Sequence, residues 1–215
     1  GCEIIRCAVP DMEAAEALGQ IKSQINIPLI AEIHFHHKLA LESIKQGVDG
    51  LRLNPGNIRD AEQVKTIVKL AKKNSVPIRI GVNFGSLPPV EGIGKVSGFS
   101  RVLDMVNTLP KASEATEGTY SLVDHMVATA LWEVGILESL DFDLIKISLK
   151  AFDVPSTVEA YERIADIVPY PLHLGITEAG TLKSGSVRSA VGIGCLLYQG
   201  IGDTIRVSRR RLPEE

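Results

Sequence analysis

The sequence predicts an α/β chain folded as a (β/α)8 barrel of the TIM type, and three observations carry that expectation. Short β-branched apolar runs alternate with helical segments along the chain, the order that parallel strands joined by right-handed crossovers require. The runs recur at an average spacing of roughly 30 residues, the length of one βα unit. Each run also carries polar groups at every second position, which gives every strand one apolar face and one polar face.

Taken in order, a strand over residues 3–8 sets Arg6 among Ile4, Ile5 and Ala8, and Pro10 closes it ahead of a helix over 11–23. The second strand, 29–35, follows Pro28 and alternates Glu32 and His34 with Ala31, Ile33 and Phe35; a helix over 38–46 comes next. The third, 50–53, alternates Arg52 and Asn54 with Leu51 and Leu53, stops at Pro55, and leads to a helix over 60–73. The fourth, 78–83, follows Pro77 and puts Arg79, Gly81 and Asn83 on one face, Ile78, Ile80 and Val82 on the other. After it, residues 86–119 are too long for a simple βα connection and read as an inserted lid with a short helix over 99–109. A helix over 120–140 precedes the fifth strand, 144–149, where Lys146, Ser148 and Lys150 alternate with Ile145, Ile147 and Leu149. Pro155 opens a helix over 156–167 and Pro171 the sixth strand, 172–177, with His173 between leucines and Glu178 just past its end. A glycine-rich helix over 186–199 and a strand over 204–208, where Thr204, Arg206 and Ser208 alternate with Ile205 and Val207, complete seven strands. Within that helix, Gly192-Ile193-Gly194 is read as a site of close packing.

Parallel strands covered on both faces normally read as continuous apolar runs. In a barrel the second faces share one interior and active sites lie at the strand C-terminal ends, so polar residues there have a common place to act. A doubly wound open sheet is the competing architecture, but its glycine-rich phosphate turn is missing from Val9-Pro10-Asp11. The polar faces bear Arg6, Arg52, Arg79, Lys146, Lys150 and Arg206 against Glu32 and Glu178. So many cations invite an anion, and the planar fork of arginine suits a di- or bisphosphate. The bland alternative pairs each arginine with a helix carboxylate or neighbouring glutamate, for which too few acids lie on the same face.

Bulk properties narrow the class. The 215 residues are 45% hydrophobic, 23% charged and 5% aromatic, an ordinary core-forming composition for one large domain. A net charge of −3 argues against nucleic acid or a membrane surface as partner, and no apolar run reaches the roughly 18 residues of a membrane span. Cys2, Cys7 and Cys195 form no CxxC and read as buried free thiols of a reduced, cytoplasmic protein, with no metal ligand set in this chain. His34, His36 and His37 invite a metal, but His36 and His37 fall in a loop, and His34, with Glu32 and Lys146, also reads as a residue that contacts the bound substrate. Lys150 could form a Schiff base as in aldolases. The chain opens on Gly1 within a strand-like run, with no signal peptide ahead of it, and is read as part of a longer protein.

Five runs stand in a telling order: Gly50-Leu51-Arg52-Leu53-Asn54-Pro55-Gly56-Asn57, Ile80-Gly81-Val82-Asn83, Lys146-Ile147-Ser148-Leu149-Lys150-Ala151, His173-Leu174-Gly175-Ile176-Thr177-Glu178-Ala179-Gly180 and Gly202-Asp203-Thr204-Ile205-Arg206-Val207-Ser208. Together they closely resemble the hydroxymethylbutenyl diphosphate synthase family, iron–sulfur enzymes of the methylerythritol phosphate route to isoprenoids. The resemblance implies an oxidoreductase that opens the ring of 2-C-methyl-D-erythritol 2,4-cyclodiphosphate and removes a hydroxyl with two electrons. It implies a diphosphate held by Arg6, Arg52, Arg79, Lys150, Arg206 and Ser208, a ligand positioned by Asn54 and Asn83, and Glu178 as the acid near the reacting carbon. It further implies a 4Fe-4S cluster on a separate C-terminal domain, a ferredoxin or flavodoxin-type electron donor, and a homodimer. On this reading residues 1–208 are the barrel without its first strand, 209–215 a linker, and the chain alone does not turn over. Four residues depart from the family's usual pattern: Glu32, His36, Phe84 and Phe152, the two phenylalanines narrowing the pocket mouth. The rivals are a pterin-binding transferase barrel, a Schiff-base phosphosugar aldolase using Lys150, and a non-enzymatic scaffold.

Overall fold

Five of the described helices begin on a side-chain acceptor that meets the orphan N–H groups of the first turn. In the computed structural model, which describes residues 2–34, 36–58, 60–87 and 121–207, Asp11 accepts from the Ala14 N–H at 2.8 Å ahead of α1 (Met12–Gln24). Asp60 accepts from Glu62 N ahead of α3 (Ala61–Lys73), Asp153 from Ser156 N ahead of α5 (Val154–Ala165), and Thr181 from Ser184 N ahead of α6 (Leu182–Tyr198). These caps set the helix starts, which is why α5 and α6 begin at Val154 and Leu182 rather than at 156 and 186. Pro155 is accommodated in the first turn of α5, where its missing N–H has no intrahelical partner to lose. α2 (His37–Lys45) has no side-chain cap; His37 is its first residue and half-buried, so only His36 of that pair lies outside a helix. α4 (Leu122–Glu138) is buried almost all round, and a reciprocal pair satisfies its entry: Ser121 N and Oγ donate to Asp124, whose own N–H donates to Ser121 Oγ.

The strands β1 (Ile5–Ala8), β2 (Leu29–Glu32), β3 (Gly50–Arg52), β4 (Ile78–Asn83) and β5 (Ile145–Lys150) form one sheet in chain order. β6 (His173–Leu174) and β7 (Thr204–Ile205) form a second, parallel pair. Helix and strand thus alternate as the sequence predicts, although the strands are shorter; β2 ends at Glu32, with Ile33 N still donating to Arg52 O at 2.9 Å. The same device starts two strands: Asp49, just before β3, accepts from Leu29 N, and Asp203, just before β7, accepts from Leu172 N, each at 2.7 Å. Among the described residues β1 pairs with β2 alone and β7 with β6 alone, so each keeps an unpaired edge.

The break between the two sheets has a local cause. Ile147 N donates to Pro171 O at 2.9 Å, as a parallel ladder between β5 and β6 requires. Two residues on, Leu149 N would meet His173 O. Instead it donates to Tyr161 Oη at 3.0 Å, and the tyrosine hydroxyl donates to His173 O at 2.5 Å. Next along the strand, Ala151 N donates to Thr157 Oγ1 at 3.2 Å. Thr157 and Tyr161 sit one turn apart on α5, so the helix feeds two hydroxyls to the end of β5, and Tyr161 Oη carries the missing rung to β6.

The described residues divide into two compact units. The first comprises the chain up to Ile80 with Glu133–Ile145; its core holds Leu18, Leu29, Ile33, Leu51, Ile67 and Ile78, all fully buried. The second takes in, of the described residues, 81–87, 121–132 and 146–207, with Met126, Leu131, Ile147, Leu149 and Tyr161 at its centre. Each such side chain contributes about 1.5–3 kcal/mol on burial. Close packing at Gly192 holds: a Cβ there would lie 2.8 Å from Ile176 Cδ1, whereas Gly194 faces open space. The cysteines differ from expectation. Cys2 and Cys195 are exposed and Cys7 is half-buried, because Cys2 precedes β1, Cys7 lies on an edge strand and Cys195 is on the outer side of α6 beside exposed Val191 and Tyr198. No helix among the described residues is long and apolar enough to cross a membrane.

Candidate functional site

Parallel register builds the first part of the site. Glu32 on β2, Arg52 on β3 and Arg79 on β4 are successive register partners, with Ala8 of β1 beside Glu32 and Arg6 two residues earlier on the same face. One carboxylate oxygen serves two cations: Glu32 Oε1 lies 2.9 Å from Arg6 Nη1 and 3.6 Å from Arg52 Nε. Arg52 is 5% exposed and Asn54, two residues on, is also buried. Burial lowers the Arg52 pKa from its ordinary value while Glu32 and Glu133 raise it; starting so far above neutrality, the guanidinium stays charged.

Glu133 is the residue that sequence reasoning missed. It lies on α4, among apolar neighbours, and is fully buried; its Oε2 accepts from Gly56 N at 2.6 Å. Gly56 belongs to the short 3₁₀ turn Pro55–Asn57 that follows Asn54. Burial pushes the Glu133 carboxyl up to about 8, partly offset by the Gly56 hydrogen bond and by Arg52. Near neutral pH this carboxyl is therefore protonated. The bland pairing holds in part, since Arg6 and Arg52 do meet an acid, and that acid, Glu32, is shared between them. A buried acid interrupting an otherwise apolar helix was the available signal.

The remaining sequence candidates divide by burial. His34 is exposed, just past β2. In the second unit Lys150 and Ser148 are buried on β5, Lys146 and Asn83 are half-buried, and Arg206 is exposed just after β7. His173 is buried, with Nδ1 2.8 Å from Thr204 Oγ1. Glu178 is exposed and held at φ 47°, a left-handed conformation that a non-glycine residue adopts at a cost and that concentrates at functional sites. Phe84 and Phe152, just after β4 and β5, are 40% and 45% exposed and touch each other, ring centroids 5.0 Å apart and tilted by 59°. Ser208 and the 209–215 linker lie outside the described residues, as does the insertion from residue 88 on.

Gly175 is a glycine of necessity. A Cβ there would stand 2.7 Å from the Arg206 backbone oxygen and 3.0 Å from Lys150 Nζ. The backbone oxygen cannot yield without opening the contact with the β7 end, so Gly175→Ala is expected to destabilise the chain by about 1–3 kcal/mol. A shift in the denaturant midpoint with unchanged slope reads that loss; a midpoint equal to the parent's would mean the backbone is free to relax there.

A four-iron cluster does not fit the described residues. Cys2 and Cys195 are exposed and Cys7 is half-buried, and no group of three or more His, Cys, Asp or Glu among the described residues could hold a metal ion.

Comparison with known proteins gives one family. Residues 1–215 match the GcpE TIM-barrel domain. A 4-hydroxy-3-methylbut-2-en-1-yl diphosphate synthase (flavodoxin) of Dehalococcoides mccartyi (strain CBDB1) is 56% identical over 215 residues, 100% of this chain and 55% of that protein. The protein of the same description from Geobacter sulfurreducens is 54% identical over 208 residues, 97% of this chain and 52% of that protein. The chain thus spans about half the length of the curated relatives it matches. Among solved structures, a Xanthomonas albilineans dihydropteroate synthase superposes with a TM-score of 0.51 at 14% identity, covering 95% of this chain and 73% of that one; at that identity the likeness concerns the fold alone. With its whole length matched and relatives more than half identical, the chain belongs to the GcpE TIM-barrel domain family.

Proposed function

We propose that this chain is the substrate-binding barrel of a 4-hydroxy-3-methylbut-2-enyl diphosphate synthase and that its anion is 2-C-methyl-D-erythritol 2,4-cyclodiphosphate. The observation that carries the reading is the register row of Glu32, Arg52 and Arg79 with Arg6 beside it, three guanidinium groups gathered on one face of neighbouring strands. Guanidinium groups bind phosphate oxygens through charge-assisted hydrogen bonds of about 1.5–3 kcal/mol each. Lys146, Lys150, Arg206 and Ser208 are assigned to the same ligand from sequence, with Asn54 and Asn83 as neutral donors that position it. Glu178, exposed and in a strained conformation, is assigned as the proton donor to the departing hydroxyl. The reaction class is a two-electron reductive dehydroxylation with ring opening. Its iron–sulfur cluster finds no ligands among the described residues, so the redox step is assigned to the part of the relatives' length that this chain does not span. A flavodoxin-type donor follows from the relatives' name, with ferredoxin the other carrier of the same kind; a homodimer and a cytoplasmic location complete the reading.

The test is calorimetric titration of the chain with the cyclodiphosphate. Saturable binding is expected, weakened about 10- to 100-fold by Arg79→Ala, the loss of one charge-assisted contact. Supplied with a chemical reductant, the 215-residue chain alone should bind without turnover. Preference for a planar pterin, or borohydride trapping of a phosphosugar on Lys150, would overturn the assignment in favour of one of the rival barrels.

A further inference from the structure

Glu133 is buried where the proposed reaction makes no use of an acid. Of the two buried acids among the described residues, Asp124 is accounted for by Ser121 and by Arg163, whose Nη1 lies 2.5 Å from its Oδ1. Glu133 instead reaches across 77 residues of sequence to the backbone of Gly56. That turn begins immediately after Asn54, so the carboxyl fixes the chain at the end of the strand that carries Arg52 and Asn54. Arg52 also acts on it directly: the electrostatic influences on Glu133 are the Gly56 N–H from the turn and the Arg52 guanidinium from β3. Through Arg52 the next charges are Glu32 on β2, Arg6 on β1, and Arg79 in register on β4.

We propose that Glu133 is a positioning residue for anion binding: it fixes the turn after β3 through Gly56 and, by gaining or losing its own proton, sets how much of the Arg52 charge is offered to a phosphate. The proposal rests on the reading of Arg52 as a diphosphate ligand. In the neutral form Oε2 accepts the Gly56 N–H and the proton resides on Oε1, so Glu133 sets no negative charge against Arg52. In the ionised form a second carboxylate competes with the phosphate for the same guanidinium. Because the carboxyl titrates near pH 8 rather than in the usual acid range, this exchange falls in a range where the enzyme can be assayed. Linkage then requires the reverse effect: an anion on Arg52 disfavours ionised Glu133, so binding at mildly alkaline pH takes up a proton.

The test uses the full-length native protein and the cyclodiphosphate itself, whose two phosphates are esterified and hold no proton that titrates near neutrality. Affinity is measured by calorimetry from pH 7 to pH 9.5 for the native protein, Glu133→Gln and Arg52→Ala. The native protein should weaken by about tenfold across that range, the low end of one charge-assisted contact. Glu133→Gln keeps an acceptor for Gly56 but cannot ionise, and its affinity should stay flat at the native value seen at pH 7. As a reading that needs no variant, the native binding enthalpy at pH 8.5 should depend on the buffer's ionisation enthalpy, reporting proton uptake. If native and Glu133→Gln share one pH profile, or native binding takes up no proton, the role of Glu133 is refuted while the anion site stands. If Arg52→Ala binds as tightly as the native protein, the anion site itself is misread.

Discussion

Tyr161→Phe is expected to destabilise the chain by about 2–4 kcal/mol, out of proportion to the loss of one oxygen atom. The hydroxyl does two tasks at once: it accepts from Leu149 N and donates to His173 O, inside a residue that is fully buried. Removing it leaves a buried N–H and a buried C=O without their shared partner, and each such orphan costs about 1–3 kcal/mol. The phenyl ring would keep the packing, so the effect isolates the hydrogen bonds. Denaturant unfolding reads the loss. Amide exchange at Leu149 then tells the mechanism: if the strands close up and Leu149 N donates to His173 O directly, the amide stays protected and the destabilisation shrinks below about 1 kcal/mol. Retained stability together with fast exchange at Leu149 would show that the bridge contributes nothing, contrary to the prediction.

This seam also marks where sequence reading stops. The period-two alternation located every strand within a few residues, because one apolar face per strand is a strong, local signal. It also named Glu32, Arg52 and Arg79, which register then places side by side, and Arg6, which meets Glu32 from two residues earlier on β1. What it could not see were long-range contacts made by residues whose own elements gave no reason to suspect them. Thr157 and Tyr161 fall within the buried stripe of α5, with Ala160 and Ile164, and read as ordinary packing; their hydroxyls enter the sheet only once the helix lies on it. Glu133 is a similar case, an acid in an apolar helix whose partner is remote in sequence. The cysteines failed in the opposite sense. Apolar neighbours in sequence suggested burial, but exposed Val187, Val191 and Tyr198 place those neighbours on the outer side of α6. The helix starts were legible in principle, since Asp153 and Thr181 are good caps; the proline and glycine nearby drew the expected boundaries inward instead.

Glu133→Gln should make the chain more stable, and increasingly so as pH rises from 4.5 towards 8. The carboxyl's ordinary value is 4.5 and burial raises it to about 8 in the folded state. Below pH 4.5 it is protonated whether folded or unfolded, so native and variant differ only by the pH-independent cost of seating the amide. Between the two values the unfolded chain releases a proton that the folded chain keeps; the unfolded state binds fewer protons, and stability falls with rising pH. The slope attributable to this group is about 1.4 kcal/mol per pH unit, and above pH 8 it levels off because both states are then ionised. Unfolding free energies for the native chain and Glu133→Gln should therefore diverge by about 3–5 kcal/mol between pH 4 and pH 8. The amide's fixed cost cancels in that difference, which makes the divergence a cleaner reading than stability at any single pH. Parallel curves would mean that Glu133 ionises as easily in the fold as out of it, and so that Arg52 and the Gly56 N–H offset its burial in full. In that case Glu133 would be ionised near neutral pH and would set a standing negative charge against Arg52.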